Sequence, residues 1–298
     1  MAPPGGPAAA PRARRTHLMT GEPRTKLEHT YQQRQFGRSL RNLREQARID
    51  TTEAAVRTKI DVDKLNRIER GQPPTHHELT TLLDVYGLLY DDWQPYIRQL
   101  DHNRQRGWWR TYGLPRTHFA GIEHDAILVR EYQLGLIPEP LQTEPYMRAL
   151  RANSHRGQPD DRTIAVRLHR QRRLTDSNPR GYHAIIDEAA LTIPLSDNTV
   201  LRAQLRHILD LAARPHITVQ VLPRAAGPHD GRKGSFHLLA LPEPEDHALL
   251  RIPHLAGETY LDDADRTASA CRLFRHLATL ALSPEDSTRW IQRLIDES

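Results

Sequence analysis

Residues 51–71 leave the chain few ways to fold. Two short helical runs lie there, one from the cap at 52 to about 58 and one over 62–70, and about three residues join them. So short a link makes the second helix cross the first at a steep angle. The residues suit that crossing. Ala55 is small where the two helices meet, and Ile60, Leu65 and Ile68 offer apolar contacts from the turn and the second run. Thr52 is placed to cap the first run and Asp61 the second. Gly71 ends the second, and Pro73-Pro74 prevent its continuation. The pattern predicts a helix-turn-helix.

Its surroundings are helical too. Phe36, Leu40, Leu43 and Ala47 fall on one face of a helix that begins at Gln35, with Arg38, Arg41, Arg44 and Arg48 on the others. Thr75 precedes a fourth helix that points Leu79, Leu82, Leu83 and Tyr86 inward, and a fifth spans 91–106. The expectation is a five-helix all-α domain over 35–106. Residues 1–34 precede it as a basic arm. The first 18, rich in Pro, Ala, Gly and Arg, cannot build a packed face and are expected to be disordered. The formal charge of +5 is uneven, at +4 over 1–34, +2 over 35–111 and −1 over the rest. A basic end on a neutral body suits a nucleic-acid-binding head joined to a regulatory domain, and a solvated basic tail is the plainer alternative.

After a linker at 107–116 the pattern changes. Helices are expected at 117–135, 143–152 and 160–176. Apolar β-rich runs follow at 183–187 and 217–222, separated by an amphipathic helix carrying Val200, Leu201, Leu205, Ile208 and Leu209. Runs 236–241 and 248–252 read as further strands joined by a Pro- and acid-rich turn. Two helices close the chain, over 264–282 and from Ser283, with Pro284 at the first position of the second and Asp286 three residues after its cap. Strands framed by helices, without strict alternation, predict an α+β domain over 117–298.

In a helix-turn-helix the second helix lies in the major groove with its N-terminal residues against base edges. By register Val62, Asp63 and Arg67 face DNA, Thr51 lies close by, and Arg70 ends the same helix. Lys64 and Arg67, three apart, can serve a phosphate and a base. Arg67 suits bidentate contact with guanine.

The segment Lys64-Leu65-Asn66-Arg67-Ile68-Glu69-Arg70-Gly71 resembles the end of the recognition helix in Xre/Cro-type repressors of the lambda-repressor-like fold, and the resemblance runs from Phe36 to about Tyr86. It implies a structural role for Glu69, which can pair with Arg41 or Arg44. Two departures stand out. Lys59 occupies the left-handed turn position that is usually Gly, at a cost of about 1 kcal/mol. Asp50, Asp61 and Asp63 replace Gln or Ser near the turn; they suit the helix dipole but repel phosphate. A helix-turn-helix that keeps its fold and binds protein is the alternative. Further on, Gly107-Trp108-Trp109, Leu141-Gln142-Thr143-Glu144-Pro145-Tyr146, Arg170-Gln171-Arg172-Arg173-Leu174, Ile185-Ile186-Asp187-Glu188-Ala189-Ala190-Leu191, Ile217-Thr218-Val219-Gln220-Val221-Leu222-Pro223 and Ala281-Leu282-Ser283-Pro284-Glu285-Asp286-Ser287 occur in order. Together they resemble the C-terminal domain fused to Xre-type heads in actinomycete regulators such as WhiJ. That resemblance implies a transcription factor, often encoded beside a small partner protein in an antitoxin-like arrangement.

Other constellations point to packing. His76-His77 are adjacent on a helix, so their side chains diverge and grip one ion poorly. His183 and Asp187 share a strand face, but no nucleophile joins them at a recognisable spacing. Trp108, Trp109 and Tyr112 are expected to pack the head onto the second domain, Arg167, Arg170, Arg172 and Arg173 to form a solvated basic helix face with internal ion pairs, and Cys271 to be buried. The glycines of 227–234 follow a strand without opening a helix, so they fail as a phosphate loop. A lone cysteine permits no internal disulfide, and no apolar run reaches the length of a membrane span. The expected protein is a cytoplasmic, DNA-binding repressor without catalytic residues, cofactor or metal. It is a homodimer on double-stranded DNA, with a C-terminal domain that senses a ligand or a small protein encoded by an adjacent gene.

Overall fold

The computed structural model describes residues 29, 31–104, 107–115, 118–150, 160–177, 179–241 and 248–297. The basic arm, apart from its last residues, lies outside them. So do 105–106, 116–117, 151–159 and the Pro- and acid-rich turn expected between two strands.

The N-terminal region is all-α. Helices α1 (Tyr31–Gln46), α2 (Thr51–Thr58), α3 (Val62–Glu69) and α4 (His76–Val85) are followed by a 3₁₀ turn, Tyr90–Trp93, and α5 (Gln94–Arg104). Phe36, Leu40, Ile49, Ala54, Leu65, Ile68, Leu79, Leu82, Leu83 and Leu100 close a core of their own. Three expectations are corrected here. The first helix begins at Tyr31, so 31–34 belong to it and not to the arm. Asp50, not Thr52, caps α2; its Oδ1 accepts the Glu53 N–H at 2.8 Å, and a carboxylate there also meets the helix dipole. The fifth helix is preceded by the 3₁₀ turn, where Trp93 Nε1 donates to the Leu88 carbonyl at 3.1 Å.

The expected linker is ordered in part. Trp108–Tyr112 form a 3₁₀ helix, with Trp109 buried and Trp108 stacked on His169. These rings dock the linker onto the C-terminal region. A Cβ on Gly121 would lie 2.6 Å from the Trp109 ring, so that helix needs glycine where the indole passes.

The C-terminal region is one six-stranded mixed sheet in the order β3-β2-β1-β4-β5-β6. In chain order come α6 (Phe119–Asp125), β1 (Leu128–Gln133), α7 (Glu144–Ala149), α8 (Asp161–Gln171), β2 (Gly181–Asp187), α9 (Glu188–Leu191), α10 (Asn198–Ala212), β3 (Ile217–Leu222), β4 (Phe236–Ala240), β5 (Leu249–His254), β6 (Gly257–Leu261), α11 (Ala264–Leu280) and α12 (Pro284–Glu297). Strands β1, β2 and β3 are parallel, joined by helical crossovers, whereas β4, β5 and β6 form an antiparallel meander. One face carries the core built with α6, α10 and α12, the other the core beneath Phe274 and Leu277 of α11. The expected α+β character holds, with regular β-α-β alternation in the first half of the sheet.

The helix expected over 117–135 is α6 followed by the central strand β1. Leu128-Val129-Arg130-Glu131-Tyr132-Gln133 reads as amphipathic helix, but strands pair with it on both sides and bury Glu131. Strand β6 escaped the sequence reading because it is a largely exposed edge, entered through a two-residue hairpin whose Leu255 is fully exposed. The Ser283 cap is as expected, its Oγ accepting the Asp286 N–H at 3.0 Å.

Candidate nucleic-acid interface

The head is built to hold α3 outward. A Cβ on Gly37 of α1 would sit 2.6 Å from the Ile68 carbonyl oxygen, so only glycine lets α1 approach the end of α3 this closely. Arg44 then clasps Glu69 in a two-pronged pair, Nε to Oε1 at 2.7 Å and Nη2 to Oε2 at 3.0 Å, while its Nη1 donates to the Ile49 carbonyl at 2.9 Å. Hydrogen bonding to Glu69 raises the Arg44 pKa. Arg41 turns instead to Glu45 at 2.8 Å, which settles the partner of Glu69. Such a bidentate pair fixes orientation as well as distance.

Between α2 and α3 the turn is stapled by Thr58, whose hydroxyl donates to the Ala54 carbonyl at 2.7 Å and accepts the Ile60 N–H at 3.3 Å. Lys59 stands in the left-handed region, at φ 57° and ψ 25°, the conformation that favours glycine. Asp61 caps α3 by accepting the Lys64 N–H at 3.1 Å.

Of the six residues expected to meet DNA, Val62, Asp63 and Arg67 share the exposed side of α3, opposite buried Leu65 and Ile68, and Arg70 is exposed one residue past its end as the C-cap. Thr51 is half-buried at the first position of α2. Lys64 is turned aside, its ammonium bound by the Glu78 carboxylate of α4. Burial pushes Glu78 up, but Lys64 and the Thr75 cap outweigh it and leave its pKa below the ordinary value. Lys64 thus stands apart from Arg67. The sequence held a signal for this, because Thr75 and Glu78 have capping-box spacing and form that box. Gln72, which the sequence reading missed, accepts the Arg67 Nε–H at 3.0 Å and leaves both Nη groups without a bond among the described residues. No spacing rule would have found it.

The C-terminal region draws its charges inward. Arg170 donates to Glu123 at 2.5 and 3.1 Å and to Glu139 at 2.5 Å, and Arg167 reaches Glu139 at 2.6 Å. Arg170 and Arg173 are both buried, so the expected solvated basic face is corrected. The pairing demanded by Glu123 and Glu139 decides it. Nearby, Glu131 accepts from Tyr182 at 2.8 Å and Gln133 at 2.6 Å and lies 3.0 Å from His237. A cleft of about 680 Å³ borders this cluster, with Leu136, Met147, Arg167, His237 and Arg251 in its walls. His183 bonds Gln220 at 2.7 Å. Cys271 is half-buried, not enclosed. Among the described residues no helix is long and apolar enough to cross a membrane, and none of their His, Cys, Asp or Glu side chains group as a metal site.

Comparison with known families agrees with this division. Residues 35–92 match a helix-turn-helix domain, and residues 116–293 match a domain of unknown function, DUF5753. No curated protein and no solved structure matches the chain at a significant level. The second match covers more than half of the 298 residues. The chain therefore belongs to the DUF5753 family and carries its domain behind a helix-turn-helix head.

Proposed function

We propose that the chain is a sequence-specific, DNA-binding transcriptional repressor of Xre type, acting as a homodimer, with a WhiJ-like C-terminal domain that senses a ligand or protein partner. The exposed face of α3 carries the reading: Arg67 on the helix and Arg70 at its C-cap are exposed, and Arg44 and Glu69 clamp the helix from behind. Arg67 has the free Nη pair that bidentate contact with guanine needs. One head reads only a short half-site, so two copies on a palindromic or direct-repeat operator follow. Binding is expected to weaken steeply with salt.

Binding-site selection on random DNA, followed by gel shifts, tests this. Arg67→Ala is expected to cost about 1–3 kcal/mol at a single base position. A variant that binds like the parent overturns the assignment.

A second reading, an antitoxin-like adaptor acting through protein contacts, has its own support. Lys64 is neutralised by Glu78, Asp61 and Asp63 are exposed at the tip of α3, and Val56, Leu89 and Tyr90 expose large apolar surfaces on the head. Co-purification with the product of an adjacent small gene, without operator binding at low salt, selects it. Both readings are of a binding protein and not an enzyme; in support, His183 bonds Gln220.

A further inference from the structure

One cleft of the C-terminal region takes no part in the roles above. It measures about 290 Å³ and opens between α6, the end of α8 and the turn before β2, beside Trp108. Arg173 lines it with a side chain only 7% exposed. Its Nη2 donates to the Ala126 carbonyl at 3.1 Å, but its Nε and Nη1 have no hydrogen-bond acceptor. Glu123 stands 3.9 Å from that Nη1 and already accepts two bonds from Arg170. Buried donors without acceptors carry their full desolvation penalty, and burial pulls the Arg173 pKa down.

Arg172 and Arg180 line the same cleft and form no salt bridge among the described residues, although half-buried Asp125 lies near enough to Arg180 to feel its charge. Of the carboxylates in the wall, Glu123 is committed to Arg170, which leaves Asp176 against three arginines. The other wall is aromatic. Trp108 and His169 stack with ring centroids 3.9 Å apart and planes within 10°.

We propose that this cleft binds a small phosphorylated metabolite, with its phosphoryl oxygens on Arg172, Arg173 and Arg180 and its organic part against the Trp108–His169 wall. Three guanidinium groups offer more donors than a carboxylate accepts, and a phosphoryl group brings three strong acceptor oxygens and a larger charge. The recessed donors of Arg173 and the small volume favour a free metabolite over the backbone of duplex DNA. Trp108 belongs to the segment leading from the head, so occupancy alters the linker. That coupling rests on the regulator reading, whereas the binding itself does not.

The test uses the full chain without DNA, titrated with inorganic phosphate, inorganic pyrophosphate and adenosine 5′-monophosphate at constant ionic strength. Tryptophan fluorescence and calorimetry are the readouts. A saturable response is expected, with the nucleotide binding tighter than phosphate. Arg172→Gln and Arg180→Gln are each expected to weaken it tenfold or more, and Arg173→Gln to abolish it. Should Arg173→Gln fail to fold, the two more accessible variants carry the test. No saturable response to any probe, or parental affinity in both of those variants, overturns the site. Equal affinity for phosphate and nucleotide overturns the metabolite assignment. Gel shifts with and without the nucleotide then follow. Unchanged DNA affinity at saturation overturns the coupling alone, whereas absence of operator binding in both conditions overturns the regulator reading and leaves the cleft standing.

Discussion

The head and the C-terminal region handle charge in opposite ways. In the head, Asp50, Asp61 and Thr75 each bond a backbone N–H three residues on, and the longer reaches are the Lys64–Glu78 pair across 14 residues and the Arg44–Glu69 clasp across 25. In the C-terminal region Arg170 gathers Glu123 from 47 residues away and Glu139 from 31, and Glu131 meets Tyr182 across 51. The head keeps Arg67 and Arg70 at its surface, where a phosphate backbone can reach them. The C-terminal region buries its ions, so its stability depends on each network being complete.

Acid should separate the two regions most strongly. Burial opposes ionisation of Glu131 and Glu139, but His237 beside the first and Arg170 with Arg167 around the second overrule it and hold both at about 2. A carboxylate whose folded pKa lies below its ordinary 4.5 stabilises the fold fully above that pH, and the contribution is lost as the pH falls toward 2. The C-terminal region is expected to lose amide protection in that window before the head, where the lowered carboxylates Glu45 and Glu78 are exposed or half-buried. Segment-resolved hydrogen exchange checks this, and a head that opens first breaks the comparison.

Arg170→Met comes next. It strands buried Glu123, while Glu139 keeps Arg167, and breaking a buried pair from one side costs about 3–5 kcal/mol; urea denaturation should show the loss in the C-terminal region alone. Gly37→Ala probes the head. Its Cβ would strike backbone atoms at the end of α3, and overpacking of this kind costs about 1–3 kcal/mol. Parental stability in that variant would mean that α1 is free to shift. The smallest effect is expected from Lys59→Gly, which relieves a left-handed lysine and should stabilise the head by about 1 kcal/mol or less. Thermal unfolding of the isolated substitution measures it.

The head was legible because its determinants are local. Helical periodicity placed Leu65 and Ile68 inside and Arg67 outside, and the resemblance to Xre/Cro-type repressors marked Lys59 as the left-handed position of the turn. The reading slipped where two local options competed, as in the choice of Asp50 over Thr52 as cap. In the C-terminal region the strands at 217–222 and 236–241 were visible from their apolar runs. Strand β1 was not, since a strand containing Arg130, Glu131 and Gln133 becomes central only when His237 and Tyr182 arrive to satisfy the glutamate. The cleft beside Trp108 was equally hidden, because Arg167, Arg170, Arg172 and Arg173 read as a solvated helix face until Glu123 and Glu139 draw Arg170 inward.

By itself the sequence determined the short crossing helices of the head, the outward register of Arg67 and Arg70, and the order of elements at the end of the chain. These depend on interactions within a few residues, which periodicity and capping report directly. Only the tertiary structure decided that Lys64 is held by Glu78, that Arg44 and not Arg41 braces α3, and that Arg173 is buried with idle donors. Each of those outcomes depends on which distant group arrives at a desolvated site, where an unmet charge is costly and a met one fixes the fold.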